Sequence, residues 1–259
     1  MTSLRATLLA LRTVLIVTSL AGCAAEAGPG PSGEGSSGAL TSRPYFEVWQ
    51  ADSGDHYFHF SAANHEIVLA SQAYSSRTAA LNGVLSVMDN GELRSRYRLN
   101  VAENGQHYFT LTARNGRVIA VSELYQTRWG AEEGILNVAR NIGSYLDFQA
   151  DRAGARFEVF QGVDSRYYFN LHAANGAIVL SSQGYADEAT ALNGTFSVAD
   201  YGLDTARFDV RGANGGGYYF NLTAPNGQVI ATSEVYTTRY SAERARNAII
   251  ALLPEVDLL

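Results

Sequence analysis

Five histidines, His56, His59, His65, His107 and His172, are the only imidazoles in the chain. Proton transfer near neutral pH or metal binding would have to start from them. His56 and His59 are an odd number of residues apart within one alternating stretch, which puts them on opposite faces of a strand. No HExxH, Gly-x-Ser-x-Gly or paired Cys accompanies them. Asp52, Asp55 and Asp164 lack the spacing of a calcium loop. These histidines read as surface polar groups, with no metal and no other cofactor. Gly212–Gly217, GANGGG, has the composition of a phosphate loop but stands between two strands rather than before a helix, so it reads as a flexible hairpin. Ser-Glu-x-Tyr, at Ser122–Tyr125 and Ser233–Tyr236, offers a carboxylate. Its place between a strand and a helix cap favours a structural use, with Ser bonded to backbone and Tyr packed on the sheet rim. No catalytic set emerges, and the expectation is a protein that is not an enzyme.

Tyrosine is the other chemistry-bearing residue, with 15 in the chain. Its placement follows from a stretch written four times: YFHFSAANHEIVLASQAY at Tyr57–Tyr74, then Tyr108–Tyr125, Tyr168–Tyr185 and Tyr219–Tyr236. Phe58, Phe60 and Ala62 alternate with Tyr57, His59 and Ser61, the period of a half-buried strand. Asn64-His65, Asn115-Gly116, Asn175-Gly176 and Asn226-Gly227 follow, and Asn-Gly between apolar runs predicts a hairpin with a type I′ turn. The β-branched pairs Ile67-Val68, Val118-Ile119, Ile178-Val179 and Val229-Ile230 supply the second arm. A short alternating stretch upstream adds a third strand to each unit, with Phe46, Tyr97, Phe157 and Phe208 facing inward.

Ser76, Thr127, Asp187 and Thr238 then occupy equivalent positions, and all four are good N-cap residues. Helices are expected over 77–88, 128–140, 188–199 and 239–252, the first with an apolar stripe of Leu81, Val84, Leu85 and Met88. Gly83, Gly134 and Gly194 fall inside three of them, with Ala245 at the fourth equivalent position. A helix-interior Gly costs about 1 kcal/mol against Ala, so close packing of helix on sheet is the expected reason for it.

The four Tyr-Phe pairs are spaced 51, 60 and 51 residues apart, and the first and third, like the second and fourth, share an offset of 111. A doublet was duplicated as a unit. One unit alone buries too little of its surface to be stable, so two units sharing a sheet make the natural domain. The fold class is α+β: tandem β-β-β-α units, each pair forming one antiparallel sheet with helices on one face. The domains are expected at 44–150 and 151–259. Tyr145–Ala150, in the longer step, reads as an extra strand.

The chain has no Lys, and its 19 basic residues are Arg against 25 acidic ones. A net charge of −6 with no basic run argues against nonspecific nucleic-acid binding. Residues 1–22 read as an export signal whose apolar core is too short for a comfortable membrane span. It ends in Leu20-Ala21-Gly22-Cys23, which resembles the lipobox of bacterial lipoproteins. That resemblance implies cleavage before Cys23 and a diacylglycerol on its thiol, which anchors the chain to a membrane. Two or more acyl chains hold where one would be marginal. Residues 23–43, rich in Gly, Ser and Pro, form a tether. The address is the cell envelope, at the outer membrane if the organism is Gram-negative.

The pattern Tyr-Phe, Ala-x-Asn-Gly, Ile/Val-Ile/Val, Ser-Glu-x-Tyr, then a capped helix with an internal Gly, resembles the YegP-like family, a bacterial domain of unknown function. The resemblance covers about Tyr45 to Pro254 in all four copies. It implies tandem β-β-β-α-β units in one sheet, with C-terminal strands exchanged between them, and it brings no active site. His65, Pro225 and Arg244-Ala245-Arg246 depart from the pattern. The hairpins also resemble those of fascin-type β-trefoils, but four capped helices do not fit a trefoil.

The candidate binding surface is the sheet face away from the helices. Period two places Tyr57, Tyr108, Tyr168 and Tyr219 there, with Thr110, Asn170, Asn221 and Trp49. Flat amphipathic rings beside amides and hydroxyls suit a glycan, a peptide or another protein. The same residues also serve cross-strand pairing alone. The expected function is a non-enzymatic binding or structural role in the envelope, for a chain that is a monomer or weak oligomer. The alternative is an envelope hydrolase or other enzyme with its site in a groove between the domains.

Overall fold

The computed structural model describes residues 43–259. The expected leader, Cys23 and nearly all of the tether lie outside them. The described residues fall into two compact units, one ending at Asp147 and the other beginning at Phe148.

Each unit is built on one six-stranded antiparallel sheet. In the first, β1 (Tyr45–Gln50), β2 (His56–Ser61), β3 (Ile67–Ser71), β4 (Tyr97–Val101), β5 (His107–Thr112) and β6 (Val118–Val121) lie in the order β1-β2-β3-β6-β5-β4. In the second, β7 (Arg156–Gln161), β8 (Tyr167–His172), β9 (Ile178–Ser182), β10 (Phe208–Gly212), β11 (Tyr218–Thr223) and β12 (Val229–Thr232) repeat it as β10-β11-β12-β9-β8-β7. The two meanders of a sheet meet through the third strand of each. Only Ala70↔Val121 and Ser71↔Ala120 pair in the first sheet, and only Thr232↔Ser181 and Ala231↔Ser182 in the second.

Four helices follow the meanders: α1 (Arg77–Asn90), α2 (Arg128–Ala150), α3 (Glu188–Tyr201) and α4 (Arg239–Leu252). All four expected caps form. Ser76 Oγ accepts from Ala79 N, Thr127 Oγ1 from Gly130 N, Asp187 Oδ1 from Thr190 N and Thr238 Oγ1 from Ser241 N, at 2.8–3.2 Å. The helices cover the Phe58, Phe60, Leu69, Phe109 and Leu111 side of the first sheet and the Phe169, Leu171, Phe220 and Leu222 side of the second, all fully buried. In α1, Ala80, Leu81, Val84 and Val87 carry the packing, while Leu85 and Met88 are only partly covered.

Three expectations are corrected. Residues 145–150 are not a strand, because α2 runs unbroken to Ala150. Ile135, Val138, Ile142 and Tyr145 are all buried along it at helical spacing, and Tyr145 ends against Phe46, ring to ring at 5.1 Å. The helix therefore occupies the segment where the resemblance implied an exchanged strand. The β2–β3 turn and its repeats are not type I′. Only the residue after each Asn has positive φ: His65 at 67°, Gly116 at 78°, Gly176 at 81° and Gly227 at 81°. Ala62 O accepts from His65 N at 2.9 Å, which makes a type I turn closed by a left-handed bulge residue. The Asn supplies a side-chain acceptor instead: Asn115 Oδ1 takes Arg117 N at 3.0 Å, and the other three do the same. Nor are the histidines uniformly surface groups. His172 is 8% exposed, with Nε2 2.8 Å from Glu158 Oε2.

Candidate functional site

Strand register decides what each outer sheet face presents. In the second sheet one continuous row crosses all six strands: Glu158, Asn170, Ser181, Thr232, Asn221 and Asp209, each the pairing partner of the next. The row is a near-palindrome of carboxylate, amide, hydroxyl, hydroxyl, amide and carboxylate. Ser181 Oγ donates to Asn170 Oδ1 at 2.8 Å, and Thr232 Oγ1 donates to Asn221 Oδ1 at 2.9 Å. Each hydroxyl thereby fixes its amide with the oxygen inward. Both amide NH2 groups then lack a hydrogen-bond acceptor among the described residues, and each hydroxyl keeps lone pairs to accept with.

The next row along the strands is aromatic. Phe160 and Tyr168 stack at 5.8 Å, and Tyr219 pairs with Arg211. Tyr168 Oη donates to Asp164 Oδ2 at 2.7 Å. That bond pins the ring and, together with the Arg166 amide, holds the Asp164 carboxyl below the usual carboxylate range. β9 and β12 pair at only two positions. A cleft of about 520 Å³ opens at this seam, lined by Ile178, Val179, Ser181, Val229, Thr232 and Glu234 among others. Hydroxyls and aliphatic side chains thus line a groove at the middle of the sheet, and Asn170 and Asn221 are the strand neighbours of its Ser181 and Thr232.

The first sheet has the same geometry and different chemistry. Its equivalent row is Glu47, His59, Ala70, Val121, Thr110 and Arg98. Methyl groups replace the central hydroxyls. Trp49 stacks on Tyr57 at 5.6 Å and leans on His59 at 4.2 Å. Burial pushes His59 down to about 4.

The sequence-predicted residues divide accordingly. All eight lie on the outer faces, and Trp49, Tyr57, Tyr168, Asn170 and Tyr219 are partly exposed. Tyr108 and Thr110 are not available as a surface, with exposures of 7% and 5%. Tyr108 belongs to a small apolar cluster with Val121, Ala102, Val118 and Leu124. Asn221 is buried to a similar degree, 8% exposed, and differs in that its NH2 group has no acceptor among the described residues and is not enclosed. Sequence reading missed Ser181, Thr232, Glu158 and Asp209. Their signal is a register, visible only once the strands are paired.

The Ser of Ser-Glu-x-Tyr, and of the Ser-Gln-x-Tyr that replaces it in the first and third copies, is structural throughout. Ser71, Ser122, Ser182 and Ser233 each accept the amide of the inward Phe, at 2.8–3.0 Å, and donate to the next residue's carbonyl. Tyr74, Tyr125, Tyr185 and Tyr236 stack on the same Phe residues at 5.9–6.2 Å. Among the described residues no three His, Cys, Asp or Glu side chains are placed to hold a metal ion, and no helix is long and apolar enough to cross a membrane.

A family model described as a domain of unknown function (DUF1508) matches residues 51–97, 102–144, 163–209 and 213–252. The chain belongs to this family. Its YegP-like character extends to individual relatives. The UPF0339 protein YegP of Yersinia pestis is 38% identical over 97 residues, which is 38% of this chain and 87% of that protein. UPF0339 protein PA0329 of Pseudomonas aeruginosa is 38% identical over 104 residues, covering 40% of this chain and 94% of that one. The solution NMR structure of yegP from E. coli, a protein of unknown function, matches at 34% identity and a TM-score of 0.38, covering 41% of this chain and 91% of its own. The four family matches each span the second and third strands of a repeat and most of its helix.

Proposed function

We propose that this YegP-like chain is an exported, lipid-anchored, non-enzymatic binding protein of the bacterial cell envelope, and that the outer face of its second sheet holds a glycan. The observation that carries the reading is the row Glu158–Asn170–Ser181–Thr232–Asn221–Asp209, with its oriented amides, beside the Tyr168 and Tyr219 rings. A sugar offers hydroxyls that both donate and accept, and a C–H face that lies on an aromatic ring. Amide NH2 groups, hydroxyl lone pairs and flanking carboxylates answer the first, and tyrosines the second. The envelope address rests on the apolar leader ending at Leu-Ala-Gly-Cys23 and on the Gly/Ser/Pro tether behind it.

Two experiments test this. Metabolic labelling with palmitate should tag the chain, and Cys23→Ala should abolish the label; an unlabelled wild type sinks the anchor. A glycan array, with sedimentation on purified peptidoglycan as a second format, should retain the chain. Asn170→Ala with Asn221→Ala should cut retention at least tenfold. A chain that binds no glycan, or a double variant that binds unchanged, sinks the assignment of this face.

A further inference from the structure

The outer face of the second sheet carries a local two-fold relation that no single strand shows. Its polar row turns onto itself about a point between Ser181 and Thr232. Tyr168 and Tyr219 each precede their Asn by two residues, but β8 and β11 run in opposite directions. The rings therefore stand on opposite sides of the row, at the ends of a diagonal. Strand spacings of about 4.8 Å across and rises of about 3.4 Å along put their Cα atoms roughly 20 Å apart.

At the middle of that diagonal each half-site sets one donor beside one acceptor. Ser181 and Thr232 commit their protons to Asn170 Oδ1 and Asn221 Oδ1. The hydroxyl oxygens then present lone pairs, and the amides present Nδ2–H. A donor beside an acceptor is the complement of a secondary amide, whose carbonyl accepts and whose N–H donates. The cleft between the half-sites is walled by the aliphatic side chains of Ile178 and Val229, with Ile178 45% exposed. An acetyl methyl group placed there would cover apolar surface that water now touches. The first sheet keeps the geometry without this set. Ala70 and Val121 stand where the hydroxyls would be, and His59 and Thr110 where the amides would be. The paired donors and acceptors belong to one unit, so the shared fold does not account for them.

We infer, on the basis of the glycan reading above, that the ligand is an extended chain of N-acetylated sugars lying along the diagonal from Tyr168 to Tyr219. An acetamido group sits in the central cleft, its carbonyl on an Asn Nδ2–H and its N–H on the neighbouring hydroxyl oxygen. A mono- or disaccharide is too short to lie on both rings. A peptide brings the same amide but no sugar C–H face for the tyrosines.

The test is isothermal titration of the full chain, in detergent, with chitobiose, chitohexaose, cellohexaose and hexa-alanine. Cellohexaose keeps the length and linkage of chitohexaose with a hydroxyl in place of each acetamido group. Hexa-alanine keeps the secondary amide without the sugar. Chitohexaose should bind saturably and at least tenfold tighter than each of the other three. Tyr168→Ala and Tyr219→Ala should each weaken chitohexaose about tenfold. Equal affinity for chitobiose and chitohexaose, or for cellohexaose and chitohexaose, overturns the inference and leaves a glycan on this face standing. Tighter binding of hexa-alanine overturns it in favour of a peptide. Unchanged chitohexaose affinity in both tyrosine variants overturns the diagonal path. Absence of saturable heat with chitohexaose also overturns the inference, while the glycan array and the Asn170→Ala, Asn221→Ala variant judge the broader reading separately.

Discussion

Gly83 lies under the ring of Tyr74 so closely that a methyl group added to it would stand 2.6 Å from the phenol oxygen and 2.6 Å from Phe58 Cε1. The contact is repeated between Gly134 and Tyr125 and between Gly194 and Tyr185. A glycine in the middle of a helix is here the condition for stacking Tyr on Phe beneath it. Intrinsic propensity favours Gly→Ala by about 1 kcal/mol, whereas overpacking a filled core costs about 1–3 kcal/mol. The second effect should win. Gly83→Ala is expected to lower the midpoint of urea unfolding without changing its slope, and Gly83→Ala with Tyr74→Phe to recover part of the loss. A more stable Gly83→Ala would show that the ring moves aside freely.

Tyr145 is a second anchor, 2% exposed and set edge-on to Phe46 at 5.1 Å and to Phe60 at 6.2 Å. It belongs to the helix of the second repeat but packs on strands of the first, and so ties the two halves of one sheet together. Tyr145→Ala should cost about 3–5 kcal/mol, the usual range for losing a buried aromatic. A fragment ending at Ala150 should unfold cooperatively, and one ending at Gly143, without this ring, should be less stable by a similar amount. Equal midpoints for the two fragments in a calorimetric scan would remove Tyr145 from this role.

His59 makes stability depend on pH. Its ordinary value of 6.5 is pushed down to about 4 by burial beside Trp49. The unfolded chain therefore takes up a proton before the folded one does. Stability from this group is complete above about pH 6.5 and is lost as pH falls from there toward 4. Because the ring is only partly buried, about 1–2 kcal/mol is the expected size after solvent screening. His59→Phe should flatten the acid limb of the stability curve over this window and leave the carboxylate-driven limb below pH 4 in place. An unchanged limb between pH 6.5 and 4 would mean that His59 protonates as readily folded as unfolded.

Much of the fold was legible because four copies repeat the same local physics. The N-caps at Ser76, Thr127, Asp187 and Thr238 and the inward Phe of each β2-type strand were read from residue type and period alone. What failed involved information that does not lie in one stretch. Tyr-Leu-Asp-Phe at 145–148 has strand-like residues, but the stripe from Ile135 to Tyr145 carries the helix through it. Asn-Gly marks the turn, yet a type I turn with a bulge and a type I′ turn both take Gly at the same place. Only the φ of the Asn separates them, and the Asn is bonded instead through its side chain to the amide two residues on. For the binding face, period two assigns a side of the sheet and not its accessibility. Tyr108 and Tyr168 are equally outward by period, but one has Val121 and Leu124 for company and the other Asp164.

That contrast separates recognition from packing. Tyr108, 7% exposed in its apolar cluster, should behave as a core residue: Tyr108→Ala should lose about 3–5 kcal/mol of stability. Any effect of that variant on glycan retention should disappear at temperatures where it is fully folded. Tyr168, held at the surface by Asp164, should behave oppositely. Tyr168→Ala should change the unfolding midpoint little and weaken glycan retention about tenfold, in line with the roughly 1 kcal/mol or more carried by a well-placed aromatic contact. Asp164→Asn should act in the same direction and more weakly, because the ring remains and only its bond to the carboxylate is changed. Melting curves and sedimentation on peptidoglycan, run on the same preparations, read both quantities together. If Tyr168→Ala lost stability rather than retention, the aromatic row would be a brace for the sheet, and the binding face would have to be sought elsewhere.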